Sequence, residues 1–303
     1  MSRSTKLQKI FGNIVRQLRL RKNLSQDEFG FLCSLDRTYI SDIEQGKRNI
    51  SLANIVTICN KLDVKLSDVF YQVENYNNIQ DSKYKIQKSF KIDVGFFVTS
   101  KNVFDAVLLT NKQLQRLPFV LFQDIDLKSL SGIVGAIFCS VLSENVDAIV
   151  NPIEKGHPDI VPKIAIHATE ENLRNYEFGL EIKCTVGNIS KGSNLIAGFE
   201  RINKLTGITW QAHHREVVEL MGLIIDFVGL AIDNKKYPVV SGVFYTNKLS
   251  ENDWGEISGT TGRNTKVTGM LKSGKEKMGK GWIVLKDDEI FVKKYSRYLN
   301  FKI

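Results

Sequence analysis

Sulfur is scarce in this chain: four cysteines, Cys33, Cys59, Cys139 and Cys184, are scattered through 303 residues and form no CxxC pair. A zinc site is therefore not expected. Each cysteine sits in apolar or mixed sequence, which points to buried free thiols in a reducing compartment. No GxxxxGK[ST] occurs, so a Walker phosphate loop is excluded. Residues 2–9 are polar and charged where a signal peptide would be apolar. The longest apolar runs, such as residues 133–142, are too short to cross a bilayer. A cytoplasmic location is the expectation.

What is present fits two ordinary domains by length. Hydrophobic content of 43% and charged content of 25% are those of a folded chain. The formal charge of +9 favours a polyanionic partner, and its placement matters more than its size. Residues 1–70 hold twelve Lys/Arg against seven Asp/Glu, and residues 261–303 hold eleven against four. Both ends are basic, and the middle is nearly balanced.

Leu7, Ile10, Phe11, Ile14, Val15 and Leu18 recur at three- and four-residue spacing, which draws an apolar stripe on a first helix. Arg16, Arg19, Arg21 and Lys22 are expected on its other faces and at its end. Ser25 and Glu28 spell a capping box that opens a second, short helix. After a tight turn at residues 33–35, Asp36 is placed to cap a third helix, with Ile40 and Ile43 inward and Gly46 stopping it. Ser51 is expected to cap a fourth, with Leu52, Ile55, Ile58 and Leu62 on one side.

Two short helices joined by a tight turn inside a small bundle are helix-turn-helix geometry. The words Leu24-Ser-Gln-Asp-Glu-Phe-Gly and Leu35-Asp-Arg-Thr-Tyr-Ile-Ser-Asp-Ile-Glu-Gln-Gly-Lys-Arg-Asn resemble the Cro/repressor (XRE) helix-turn-helix family across residues 11–70. Ser34 replaces the usual turn glycine, and Ile50 stands where proline is common. The resemblance implies that Gln26 fixes a phosphate, that Arg37, Thr38 and Ser41 face base edges, and that Lys47 and Arg48 hold backbone. An arginine at a helix start can pair bidentately with guanine, and the amides there favour phosphate. The alternative is a protein-interaction module that has lost DNA binding.

Residues 72–85 are polar and Asn-rich without an apolar period, which marks a domain seam. The expected division is an all-α domain over 1–72, a linker over 73–88 and an α/β domain with a mixed central sheet over 89–303. Residues 130–150 are predicted as one long helix buried through Ile133, Val134, Ile137, Phe138, Val141 and Leu142. Strands are predicted at 94–98, 163–167, 217–228 and 239–245.

Pro158-Asp159 precedes Ile160 and Val161, as if an aspartate opens a strand. In the segment from Gly179 to Thr185, alternation turns Leu180, Ile182 and Cys184 inward and leaves Glu181, Lys183 and Thr185 on the other face. A hairpin would return Asp159 beside Glu181 and Lys183. Two carboxylates and a carbonyl suit Mg²⁺, which acidifies a bound water and offsets phosphate charge, while a lysine orients the attacking water.

Asp159, Glu181 and Lys183 in this order resemble the PD-(D/E)XK nuclease superfamily, and the fused helix-turn-helix points to type II restriction endonucleases. That resemblance implies Mg²⁺ on Asp159 and Glu181, a further catalytic acid from a preceding helix (Glu144 first, Glu154 second) and double-stranded DNA as substrate. It also implies a homodimer for cutting both strands, and a cognate methyltransferase without direct contact. The bland alternative is a salt-bridged surface strand.

Residues 208–215 are predicted as a further strand beside the site, with Thr209, Gln211 and His213 on one face. His213 and His214 are more often structural than catalytic. The Gly/Thr-rich segment 258–266 is read as a basic loop in which Arg263, Asn264 and Lys266 could reach DNA, or else as a solvated surface loop. Lys272, Lys275, Lys277 and Lys280 extend its charge, and 282–292 is predicted as a terminal hairpin. The whole is expected to be a type II site-specific endonuclease with an extra DNA-binding domain. One alternative is a transcription regulator with a carboxy-terminal sensing or dimerisation domain. Another is a repair or methylation-dependent nuclease.

Overall fold

The computed structural model, described over residues 3–70, 73, 84–154, 156–189, 205–229, 236–259 and 266–301, divides into two units, Met1–Asp81 and Ser82–Ile303. The first is all helical: α1 (Arg3–Arg21), α2 (Gln26–Cys33), α3 (Arg37–Glu44), α4 (Leu52–Leu62) and α5 (residues 66–70). The α1 stripe buries Ile10, Phe11, Ile14 and Val15 against Phe29, Ile40, Ile43, Ile58 and Leu62. Leu7 and Leu52 fall outside that core, at 47% and 64% exposure.

Capping follows the sequence closely. Ser25 Oγ accepts from Glu28 N, and the Glu28 carboxylate accepts from Ser25 N. Ser51 accepts from Asn54 N. Asp36 occupies the cap position of α3 but makes no side-chain cap bond. Ser34 takes the left-handed conformation (φ 55°) that glycine adopts without steric cost. At Gly12, α1 touches α3 through backbone: a Cβ there would lie 2.0 Å from Ile43 O.

One charge departs from the expected outer face. Arg19 is buried, and its guanidinium grips Glu44 of α3 through Nε–Oε1 at 2.6 Å and Nη2–Oε2 at 2.9 Å. Its Nη1 donates to Leu24 O at 2.6 Å.

The second unit is an α/β domain with a mixed sheet. Its short opening strands are β1 (Tyr84–Ile86), β2 (Lys91–Asp93) and β3 (Phe97–Thr99), followed by helices α6 (Ser100–Arg116) and α7 (Leu127–Glu144). β4 (Ala148–Val150) pairs with β5 (Ile160–Pro162); α8 (Glu170–Arg174) and β6 (Ile182–Cys184) follow. Then come β7 (Val186–Ile189), paired with β8 (Leu205–Thr209), and β9 (Gln211–Ala212). The long strands are β10 (Leu220–Gly229) and β11 (Lys236–Thr246). After β12 (Ser258–Gly259) and β13 (Lys266–Gly269) the chain closes with α9 (Lys272–Lys280), β14 (Trp282–Lys286) and α10 (Glu289–Leu299).

The five-stranded sheet runs β1-β14-β11-β10-β6, antiparallel except for the parallel pair β10/β6. Residues 84–86, read from the sequence as linker, are thus its edge strand. Strand alternation sends Met221, Leu223 and Ile225 to the face covered by α6 and α7, and Leu220 and Ile224 to the other, with α9 and α10. Helices on both faces make a three-layer α/β unit. At 18 residues and mean hydropathy 1.4, α7 has the length and apolarity of a membrane span, but its Leu130, Val134, Phe138 and Leu142 are fully buried in this core.

Four local expectations fail, each for a visible reason. The helix over 130–150 ends at Glu144, because 148–150 pairs with β5 instead. Residues 163–167 form a 3₁₀ turn after Pro162, with Ile164 and Ile166 exposed and only Ala165 buried. The lysine-rich 272–280 segment is the helix α9, which turns Gly274 and Met278 inward. The terminal hairpin is replaced by α10, whose cap Asp288 accepts from Ile290 N and whose Tyr295 and Leu299 share one buried face.

Candidate functional site

The carboxy-terminal site is built where β5 and β6 meet. Ile160 and Leu180 exchange backbone hydrogen bonds of 3.1 and 2.8 Å, and Glu181 O accepts from Met221 N of β10 at 2.9 Å. The approach depends on Gly179, where a Cβ would lie 2.3 Å from both Ile160 O and Pro158 Cγ. This pairing carries Asp159 to the side of Glu181 and Lys183. Ile182 N donates to Asp159 Oδ2 at 2.8 Å, Lys183 Nζ stands 3.8 Å from the same oxygen, and Lys183 also pairs with Glu181 Oε1.

The three side chains are 31%, 15% and 24% exposed, so the trio is not a solvated surface pair. Burial, then the Glu181 charge, pushes the Asp159 carboxyl above its ordinary range. Burial pushes Glu181 up as well, but the His157 hydrogen bond and the Lys183 charge outweigh it and hold the carboxyl low. For Lys183, burial pulls downward and is overcome by the charges of Glu181 and Asp159.

Asp159 and Lys183 open onto a cleft of about 930 Å³. One wall is the amino-terminal half of α7, where Lys128 is followed by the small residues Ser131, Gly132, Gly135 and Ala136. Gln211 and His213 also line it, as does Val267 of β13. Thr209 instead is buried and donates to Met270 O at 3.3 Å, so it does not share their face. His214 pairs with Glu216.

Not every expected residue reaches this place. Glu144 is exposed at the far end of α7 and lines no part of the cleft, because that helix presents its opposite end to the site. Glu154 is likewise exposed and outside the cleft. Arg263 and Asn264 lie outside the described residues, as does the side chain of Lys266, which opens β13. Sequence reasoning missed His157, whose Nδ1 is 3.4 Å from Glu181 Oε2 and whose ring faces the cleft. Its position two residues before Asp159 was the available signal.

The donor set fits a hard cation that keeps waters. Among the described residues no three His, Cys, Asp or Glu side chains are grouped to cage a metal. Asp159 at the cleft, with Glu181 reaching it through Lys183, is a sparse set that could suit Mg²⁺, which seldom uses an all-protein cage.

In the amino-terminal unit, Arg37 and Thr38 stand exposed at the start of α3, with Ser41 one turn on, accepting from Gln45 Nε2. Arg37 is 3.6 Å from Asp27. Gln26 is held by its Nε2 on Glu44 Oε2 at 2.8 Å, which ties the first residue of α2 to the last of α3. Lys47 is exposed. Arg48 pairs with Asp42 and lies over the Tyr39 ring, whose hydroxyl accepts from Asn54.

The helix-turn-helix family profile matches residues 15–69. Control protein C.BamHI of Bacillus amyloliquefaciens is 54% identical over 61 residues, which is 20% of this chain and 75% of that protein. Control protein C.MunI of Mycoplasma sp is 48% identical over 65 residues, 21% of this chain and 88% of that protein. Among solved structures, the restriction-modification controller protein C.AhdI from Aeromonas hydrophila is 38% identical over 23% of this chain and 100% of its own, with a TM-score of 0.22.

Proposed function

This chain belongs, through residues 15–69, to the helix-turn-helix family that includes restriction–modification control proteins, and we propose that it joins such a regulator to a Mg²⁺-dependent endonuclease. A fifth of this chain accounts for 75% and 88% of the two control proteins, so the amino-terminal unit corresponds to most of a regulator. That favours an operator-binding role over the accessory clamp that the sequence alone invites. Arg37, Thr38 and Ser41 are the base-reading candidates, with Gln26, Lys47 and Arg48 on phosphates.

The nuclease half rests on one observation: Asp159, Glu181 and Lys183 converge, largely buried, with Asp159 and Lys183 open to a cleft and Glu181 behind them. Taking three charges out of water is costly, and such clusters in clefts mark function more often than stability. Asp159 and Glu181 are the residues that would hold Mg²⁺, which would offset the charge on a phosphate. Lys183 then donates hydrogen bonds to the attacking water or to a phosphate oxygen. The glycine-rich α7 wall leaves room for a sugar–phosphate strand, and Lys128 adds positive charge there. Hydrolysis of both strands needs two such sites, hence a homodimer, and a paired methyltransferase would protect the host sequence.

The full chain incubated with plasmid DNA should yield discrete fragments in Mg²⁺ and none in chelator. Asp159→Asn and Lys183→Ala should each lower the rate by at least about 10²-fold, the scale for losing a group that stabilises the transition state. Intact DNA throughout, with operator binding retained, would sink the nuclease and leave the regulator with a sensing or dimerisation domain. Fragments only from premethylated DNA would instead mark a methylation-dependent enzyme.

A further inference from the structure

Both oxygens of Glu181 are claimed: Lys183 pairs with Oε1, and His157 Nδ1 lies 3.4 Å from Oε2. The two partners differ in kind. Lys183 is an ammonium on a flexible stem, a point donor without directional hold. His157 is a rigid ring on a fixed backbone. Its N–H donates to Arg174 O at 3.0 Å, and its carbonyl accepts from Tyr176 N at 2.7 Å. The segment after α8 therefore pins His157 from both sides of its peptide. Its side chain is 38% exposed at the cleft, and no group among the described residues takes Nε2.

We propose that His157 is a positioning residue that holds Glu181 Oε2, so that the carboxylate stays turned toward Asp159 for a divalent cation. This rests on the nuclease reading above. Glutamate has three rotatable side-chain bonds, and among the described residues Glu181 has no partner besides Lys183 and His157 to select one rotamer. Partners that orient a metal-binding side chain in this way are worth about 10–100-fold in metal affinity.

The test is Mn²⁺ binding to the full chain, read by loss of the free-ion electron paramagnetic resonance signal, with cleavage measured alongside. Four proteins are compared: wild type, His157→Ala, His157→Asn and Asp159→Ala. The asparagine amide nitrogen falls near the position of Nδ1 and can restore the bond to Oε2. Expected results are a 10–100-fold weaker Mn²⁺ affinity in H157A and recovery to within about threefold of wild type in H157N.

Circular dichroism and tryptophan emission identify a misfolded variant; if H157A is one, His157→Gln replaces it as the variant without a donor at the Nδ1 position. Wild-type affinity in H157A, or a folded H157N as weak as H157A, overturns the positioning role while leaving the nuclease standing. Wild-type binding that is absent, or unaffected by D159A, overturns both together.

Discussion

Removing the Glu44 carboxylate tests how the amino-terminal unit is held together. Arg19 and Glu44 are 7% and 2% exposed at their side chains and share a bidentate pair. In Glu44→Ala the guanidinium stays buried with Leu24 O as its one remaining acceptor among the described residues, and Gln26 loses its anchor as well. Breaking one side of a buried pair costs about 3–5 kcal/mol. A unit of this size has about 4–10 kcal/mol in total, at roughly 0.05–0.15 kcal/mol per residue. The variant should therefore lose about a third of its stability or more, with a fall in melting temperature of about 4–8 °C per kcal/mol.

Two signals separate the units in the full chain. Trp210, Trp254 and Trp282 all lie in residues 82–303, so tryptophan emission follows that unit alone. Far-ultraviolet circular dichroism follows both. In E44A the helical transition should move down while the emission transition stays. The double variant Arg19→Met, Glu44→Leu should return to within about 1 kcal/mol of wild type, because replacing a buried ion pair by apolar groups is often neutral. A loss below about 1 kcal/mol in E44A, or a double variant as unstable as the single one, would refute the reasoning.

Gly132 sits inside α7 with nothing within 4 Å of an added Cβ, so Gly132→Ala should stabilise the carboxy-terminal unit by about 0.5–1 kcal/mol in thermal unfolding. If the proposed nuclease reading holds, Gly132→Leu should fold equally well and yet cleave poorly, because its side chain would enter the cleft that Gly132 lines. Arg37 and Asp27 are 66% and 67% exposed, so Arg37→Ala should change stability by less than about 0.5 kcal/mol. Its DNA affinity should fall by about 1–3 kcal/mol with relaxed choice at one base pair; a uniform loss across sequences with a shallower salt slope would make it a phosphate contact instead.

Most of what was legible in the sequence was local. Ser25 and Glu28 satisfy each other three residues apart, and the strand alternation holds from Leu180 to Lys183, breaking at Cys184, which lines the cleft, and at Thr185, which is buried. Asp159 joins them not through the expected hairpin but through a connection that holds a 3₁₀ turn and α8 and returns at the Ile160–Leu180 bridge. Arg19 was misread because helical periodicity sees only a charge, while its burial depends on Glu44, 25 residues away. His157 was missed for the same reason, since it is placed by Arg174 and Tyr176. Short apolar runs were the other source of error. Residues 290–292 read as a strand, although Tyr295 and Leu299 complete a helical face, because periodicity cannot separate the two over three residues.

Glu144 marks where family resemblance outran geometry. The resemblance asks for an acid on the preceding helix, and α7 does run along the site. It does so with the half that carries Lys128 and Gly132. From Cys139, the last α7 residue lining the cleft, Glu144 is five residues further, about 7.5 Å along the axis at roughly 1.5 Å per residue. What replaces the missing acid is not another acid but an imidazole on the Glu181 carboxylate. The carboxy-terminal site therefore places positive or hydrogen-bonding groups on both sides of one glutamate. Under the proposed nuclease reading, its capacity for a cation would depend on how firmly that glutamate is aimed rather than on how many acids are gathered.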